Sequence, residues 1–281
     1  MAFKIALTAG HYLGTPGKRC MKKLDPNETR EWWLNDRIAD KVEKLLQNYS
    51  GWELIRTDDT TGKKDISLTA RTNAANNFKA DFYLSIHHNA GVNGGKGGGI
   101  VAYRYSKTKR QESIDWQKDL YDALIEATGL RGNRSTPLAA ANFHELRESN
   151  MPAVLLELGF MDSATDVPVI LTEAYADKCA AAIVKVLVKR GKLTAKAPAP
   201  AQTCTVQLPV LKKGDKNDSV ESMQQLLLAK GYKMENDGKT YGADGSYGGA
   251  TVNGIKNFQK AKGLPQTGKC DADTWAELLG V

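Results

Sequence analysis

Four histidines occur in the 281 residues, His11, His87, His88 and His144, and two of them close apolar runs. His11 follows FKIALTA (3–9), and His87 follows DFYLSI (81–86). Glu157 lies near the end of a third run, AVLLELG (153–159), and Glu31 opens an amphipathic segment. Short apolar runs of this kind read as buried parallel strands, and open α/β sheets bind ligands at the carboxyl ends of their strands. The four groups are therefore expected on one edge of one sheet. Two neutral imidazoles and a carboxylate make the donor set of a catalytic zinc site whose fourth position is left for water. Zinc lowers the pKa of that water and polarises a carbonyl, while a separate carboxylate carries the proton to a leaving nitrogen. On this reading His11, Glu31 and His87 hold one Zn²⁺ and Glu157 handles the proton.

The alternatives are ordinary ones. A single histidine at a strand end is usually just a satisfied polar residue, so the argument rests on two such histidines together with a strand-end glutamate. Glu28, three residues before Glu31, competes for the same ligand position. His88 competes with His87, although strand alternation sends it to the opposite face. Glu157 in its Val-Leu-Leu run is costly when ionised unless it is partnered, and a structural ion pair would supply that partner. Arg71 either pairs with a site carboxylate or caps a neighbouring element. His144 is a supporting candidate for substrate contact, against the plainer reading of a surface histidine. The glycines at 94, 95 and 97–99 lack the GKS or GKT ending of a nucleotide-binding loop and read as a flexible hairpin or substrate-side loop.

The elements that must position these residues alternate along the chain. Strands are expected at 3–9, 52–57, 81–87, 100–105 and 153–159. Helices are expected at 31–47 (Leu34, Ile38, Val42 and Leu45 inward), from Ser67 to about Phe78 (Leu68, Ala75 and Phe78 inward), at 113–128 and at about 173–190. Residues 12–30 and 129–150 show no period. This alternation predicts an α/β domain over 1–190, a mostly parallel twisted sheet with helices on both faces. The small, Pro/Ala-rich stretch 191–204 reads as a semi-extended linker. Residues 205–281 carry three short helical patterns, at about 218–230, 250–261 and 272–279, with a glycine-rich turn region at 238–249. They predict a small three-helix domain near the lower size limit for independent stability.

Composition narrows the function classes. The chain is 41% hydrophobic and 25% charged, which excludes a wholly disordered protein. Its net charge of +7 is spread as +4 over 1–190, +2 over 191–204 and +1 over 205–281. A nucleic-acid binder concentrates such an excess on one face, so no nucleic-acid partner is expected, whereas encounter with an anionic polymer is favoured. The cysteines, Cys20, Cys179, Cys204 and Cys270, fit no CxxC pattern and read as mostly free thiols. No apolar stretch approaches about 18 residues, so membrane insertion is not expected. The N-terminal run is short and lacks the basic start of a signal peptide, so the expectation is synthesis in the cytoplasm and action after release. The oligomeric state, a homo-oligomer included, is left open.

Residues 1–190 resemble the zinc-dependent N-acetylmuramoyl-L-alanine amidases of autolysins and phage endolysins. The resemblance is carried by ALTAGH (6–11), EWWLNDRIA (31–39), LTARTNAAN (68–76), ADFYLSIHHNA (80–90) and MPAVLLELGFMDSATD (151–166). It implies ligation by His11, by Glu31 (seven residues before Ile38) and by His87, with Glu157 as the catalytic acid/base. The implied reaction is hydrolysis of the amide between the lactyl group of N-acetylmuramic acid and L-alanine in peptidoglycan. The segment after His11 departs from the family: Tyr12 and Leu13 stand where a glycine-rich stretch is common, followed by a longer basic loop. Residues 208–279 resemble the helical peptidoglycan-binding domain of wall hydrolases, through 211–232, 243–264 and 267–279, with Asp244, Gly245 and Phe258 serving its fold. A zinc peptidase cutting the stem peptide and a catalytically dead wall-binding protein are the alternatives. A missing leader tilts the expectation toward phage release.

Overall fold

A computed structural model of the chain describes residues 2–196 and 207–280. It divides into two compact units, Met1–Pro198 and Ala199–Val281. The first contains β1 (Phe3–Ala9), α1 (Glu31–Leu46), β2 (Tyr49–Ser50), β3 (Trp52–Arg56), α2 (Leu68–Phe78), β4 (Phe82–Asn89) and β5 (Ile100–Tyr105). It continues through α3 (Gln111–Thr128), β6 (Leu138–Ala141), α4 (His144–Glu148), β7 (Ala153–Phe160), α5 (Val167–Ile170), α6 (Glu173–Gly191) and β8 (Thr194–Ala195).

Six strands form one sheet in the order β3-β1-β4-β7-β5-β6. Neighbours run parallel except β5 and β7, so the sheet is mixed but mostly parallel. Alternation along the strands sorts the side chains between two layers. Ile5, Leu7, Phe82, Leu84, Ile86, Val154 and Leu156 pack against α1, α3 and α6 in the main core. Ala6, Tyr83, Ala153 and Leu155 face the other way, toward Ala75 of α2 and Leu146 of α4. The two-layer cover explains why the central strands read as continuous apolar runs.

Several local expectations change. Leu68 is 48% exposed, because it starts α2 at the rim of a cleft and does not face the core. The aperiodic stretch 129–150 holds the short β6 and α4, and α5 was not foreseen. Residues 191–196 do not open a linker. They end α6, bury Leu193 and pair β8 antiparallel with β2. The rest of the expected linker, 197–204, lies outside the described residues, Cys204 included. Cys20, Cys179 and Cys270 are buried free thiols. No described helix is long and apolar enough to cross a membrane.

The second unit contains α7 (Asp218–Ala229), a hairpin of β9 (Met234–Asn236) and β10 (Lys239–Tyr241), α8 (Gly249–Ala261) and α9 (Ala272–Leu279). Its core gathers Val220, Met223, Leu227, Met234, Tyr247, Ile255, Phe258, Trp275 and Leu278. Leu279, expected inward, is 48% exposed in the last turn of α9. Two buried glutamines tie the loops to the helices. Gln224 donates to Asp244 Oδ1, Ser246 O and Thr251 Oγ1, and its Oε1 accepts from the backbone of Asp244 and Gly245. Gln259 does the same for the 267–274 segment, through Thr267, Lys269, Thr274 and the Gly268 N–H. Gly245 takes φ +68, which the turn requires.

Candidate metal centre

β1, β4 and β7 lie side by side, so their carboxyl ends open on one edge. His11 leaves the end of β1, His87 lies near the end of β4, and Glu31 is the first residue of α1, directly above them. Glu31 Oε1 lies 3.3 Å from His11 Nε2 and 3.1 Å from His87 Nδ1. One donor atom from each of the three residues falls within 4.8 Å of the others. Three side chains from well-separated parts of the sequence thus meet at one point.

The surroundings suit a cation. Glu31 is fully buried, and its Oε2 has no hydrogen-bond partner. Burial alone would raise its pKa, but hydrogen bonds and charge from His11 and His87 hold it well below the usual carboxylate range. Burial also lowers the pKa of His11, with Glu31 opposing only in part, which keeps its ring lone pair available. Burial acts in the same direction on His87, but there Glu31, Glu157 and Glu145 outweigh it and the pKa rises. A buried carboxylate oxygen that accepts no hydrogen bond is expensive, and a divalent ion among two imidazoles and this carboxylate would satisfy all three. The residues fit the divalent ion that the resemblance implies.

Backbone placement is enforced. His11 sits at φ +67, an uncommon conformation for a residue with a Cβ. Arg71 holds it there: its guanidinium donates to Thr8 Oγ1, Ala9 O and His11 O, and also to Ile66 O. Arg71 thus braces the end of β1 and does not pair with a site carboxylate. Gly10 lies flat against the His87 ring, where a Cβ would collide with Cε1, Nδ1 and Nε2. Asn35, one turn after Glu31 on α1, donates to Gly10 O at 3.1 Å and meets His88 Nδ1 at 2.8 Å. His88 therefore points to the α1 side, away from the cluster, as alternation requires, and burial drops its pKa to about 3.

Glu157 is the register partner of His87 across β4 and β7, so both side chains leave the same face. Its Oε2 is buried without a partner, and burial pushes its pKa up to about 7, with His87 lowering and Glu31 raising it. Glu28 is not at the cluster. It lies in a turn at φ +49 and pairs with Arg19 at 3.1 Å, so it is not the third donor. His144 opens α4, where its Nε2 lies 3.4 Å from Thr72 Oγ1. It joins α4 to α2 and is not among the cluster's donors.

Three features escaped sequence reasoning. Glu145, beside His144, is buried and accepts from Tyr83 Oη at 2.6 Å and Ser85 Oγ at 3.2 Å. Lys18 of the basic 12–30 loop reaches within 3.5 Å of Glu31 Oε2. The glycine-rich segment is not a free hairpin. Asp162 Oδ2 accepts from the N–H groups of Gly91, Val92 and Asn93, and Asp166 Oδ2 accepts from those of Gly99 and Phe160. Asp162 and Asp166 lie more than sixty residues along the chain from the glycines they hold, so no local sequence signal marked these bonds. A cavity of about 260 Å³ adjoins the cluster, lined by His11, Asp65, Leu68, Arg71, His87 and Glu145 among others.

An α/β sheet with a histidine–glutamate–histidine cluster at its strand ends, compatible with one metal ion, defines the class. The sequence comparison then assigns the family. Residues 5–189 match the family described as N-acetylmuramoyl-L-alanine amidase, and residues 216–278 match the putative peptidoglycan binding domain. The chain belongs to the N-acetylmuramoyl-L-alanine amidase family. It is 36% identical over 180 residues to the sporulation-specific N-acetylmuramoyl-L-alanine amidase of Bacillus subtilis (strain 168), covering 63% of this chain and 64% of that protein. It is 35% identical over 138 residues to N-acetylmuramoyl-L-alanine amidase CwlM of Bacillus licheniformis, covering 48% of this chain and 50% of that protein. The matches thus span between half and two thirds of these relatives. Among solved structures, N-acetylmuramoyl-L-alanine amidase from Clostridium difficile 630 superposes with a TM-score of 0.60 at 29% identity, covering 67% of this chain and 96% of that one.

Proposed function

We propose that the chain hydrolyses the amide between N-acetylmuramic acid and L-alanine in bacterial peptidoglycan, with zinc held by His11, Glu31 and His87. The observation that carries this reading is the convergence of those three donors at the strand ends, where the buried Glu31 Oε2 accepts no hydrogen bond and has Lys18 Nζ 3.5 Å away. Zinc, when bound, supplies Lewis acidity that polarises a carbonyl and makes water nucleophilic near neutral pH.

The chain's own residues supply the rest. Glu157, on the same face as His87, takes the proton from the attacking water and returns it to the departing alanine nitrogen. Arg71 and Asn35 hold the backbone of Gly10 and His11 so that the donors do not drift. The cleft beside His11, rimmed by the exposed Leu68, admits the substrate. The second unit, by its likeness to peptidoglycan-binding domains, keeps the chain on an insoluble substrate and raises the local concentration of bonds to cut. The setting proposed with it is wall breakdown at lysis, as by a phage endolysin.

Mass spectrometry of digested wall tests the reaction. The expected products are intact glycan strands and stem peptides with free L-alanine amino ends. Cuts inside the stem peptide would replace the proposal with a peptidase, and an undigested wall would leave a binding protein. Glu157→Gln is expected to keep the fold and the metal while losing nearly all turnover, and retained turnover would remove Glu157 from its role.

A further inference from the structure

Three alternate residues of β4, Tyr83, Ser85 and His87, project from one face of the sheet toward α4. All three point at a single group, the buried carboxylate of Glu145. Tyr83 donates to Oε1 at 2.6 Å, Ser85 donates to Oε2 at 3.2 Å, and His87 Nε2 lies 3.9 Å from Oε2. Tyr83 is fully buried, and burial together with Glu145 holds its pKa well above the usual value, so it remains a phenol and a donor. His87 Nε2 is buried with no hydrogen-bond partner.

The two nitrogens of His87 therefore have different outlooks. Nδ1 faces Glu31 and His11, and Nε2 faces Glu145. A ring that ligates through Nδ1 must carry its proton on Nε2, and that N–H needs an acceptor. The Tyr83 and Ser85 bonds fix the carboxylate in the direction of that proton. Either a small rotation of the ring or one bridging water closes the 3.9 Å gap.

We propose that Glu145 is a positioning residue for the metal centre: it accepts the Nε2–H of His87, fixes that tautomer, and turns the Nδ1 lone pair toward the ion. The inference rests on the metal reading above. Metal-ligating histidines commonly use their second nitrogen this way, and loss of the acceptor lowers metal affinity.

The test titrates the full-length, metal-free chain with Zn²⁺ in competition with a chromophoric chelator. Glu145→Gln keeps the size of the side chain and an acceptor for Tyr83 but removes the charge aimed at His87. It is expected to weaken zinc binding by about 10- to 100-fold while the melting temperature of the metal-free protein stays close to wild type. Tyr83→Phe, which removes one of the two bonds that fix the carboxylate but keeps its charge, is expected to weaken zinc binding by less than Glu145→Gln does. Zinc binding by Glu145→Gln equal to wild type would overturn the inference. Failure of the wild-type chain to bind zinc would instead overturn the metal reading beneath it. A measurement on wild type needs no variant to fold: nitrogen-15 shifts of His87 in the zinc-loaded chain should show Nδ1 ligated and Nε2 protonated. The opposite assignment would sink the proposal.

Discussion

Replacing Gly10 by alanine adds one methyl group at the most crowded point of the centre. The residue ends β1, donates its N–H to Ile86 O at 2.9 Å and is not in the left-handed backbone region, so alanine meets no backbone strain there. The new Cβ would instead stand well inside 3.0 Å of three atoms of the His87 ring, a spacing real Cβ atoms essentially never show. The nearest, Cε1, would lie 2.0 Å away, whereas ordinary carbon contacts begin near about 3.5 Å, so the ring must retreat by about 1.5 Å. Metal–ligand distances tolerate only about 0.2 Å. A ring displaced that far would carry Nδ1 out of reach of an ion placed between His11 and Glu31. Weakening of zinc affinity by about 100-fold or more is expected, on the scale that even indirect ligand misplacement reaches. Competition titration with a chelator measures it, with circular dichroism to show that the sheet is intact. A folded Gly10→Ala protein with wild-type zinc affinity would refute the claim that His87 ligates from its present position.

Other outcomes follow from the same geometry. Arg71→Met leaves Thr8 Oγ1, Ala9 O, His11 O and Ile66 O without their donor, and at about 1 kcal/mol or more for each buried group it should cost about 3–5 kcal/mol in urea unfolding. A loss under about 1 kcal/mol would mean that these acceptors are satisfied by water. Gln224→Leu strips the loop 244–251 of its central partner and should destabilise the second unit by about 2–3 kcal/mol, seen as a lowered transition in calorimetry of the full chain. Asp166→Ala frees the N–H groups of Gly99 and Phe160 and should raise hydrogen exchange across the glycine-rich loop. Unchanged exchange there would argue that other contacts set the loop.

The central strands and the two clustered histidines were legible because each histidine ends an apolar run and the topology of a parallel sheet brings run ends together. Choosing between Glu28 and Glu31 was not possible from spacing alone. The resemblance favoured Glu31, and the structure separates the two by a turn at φ +49 that hands Glu28 to Arg19. Glu145 was invisible for a different reason. Its helix has five residues, too few to show a period, and its importance lies in which face of β4 it meets. The β9–β10 hairpin escaped because its strands have three residues each and the second falls inside the glycine-rich stretch 238–249. Leu68 and Leu279 were misread because a leucine at a helix end shares the period of the core face without sharing its burial.

Zinc-edge anomalous scattering from a crystal of the zinc-loaded chain tests the central claim most directly. One peak is expected, bonded to His11 Nε2, Glu31 and His87 Nδ1, with nitrogen distances near about 2.0–2.1 Å. A peak held by other residues, or none at these three, would contradict the account.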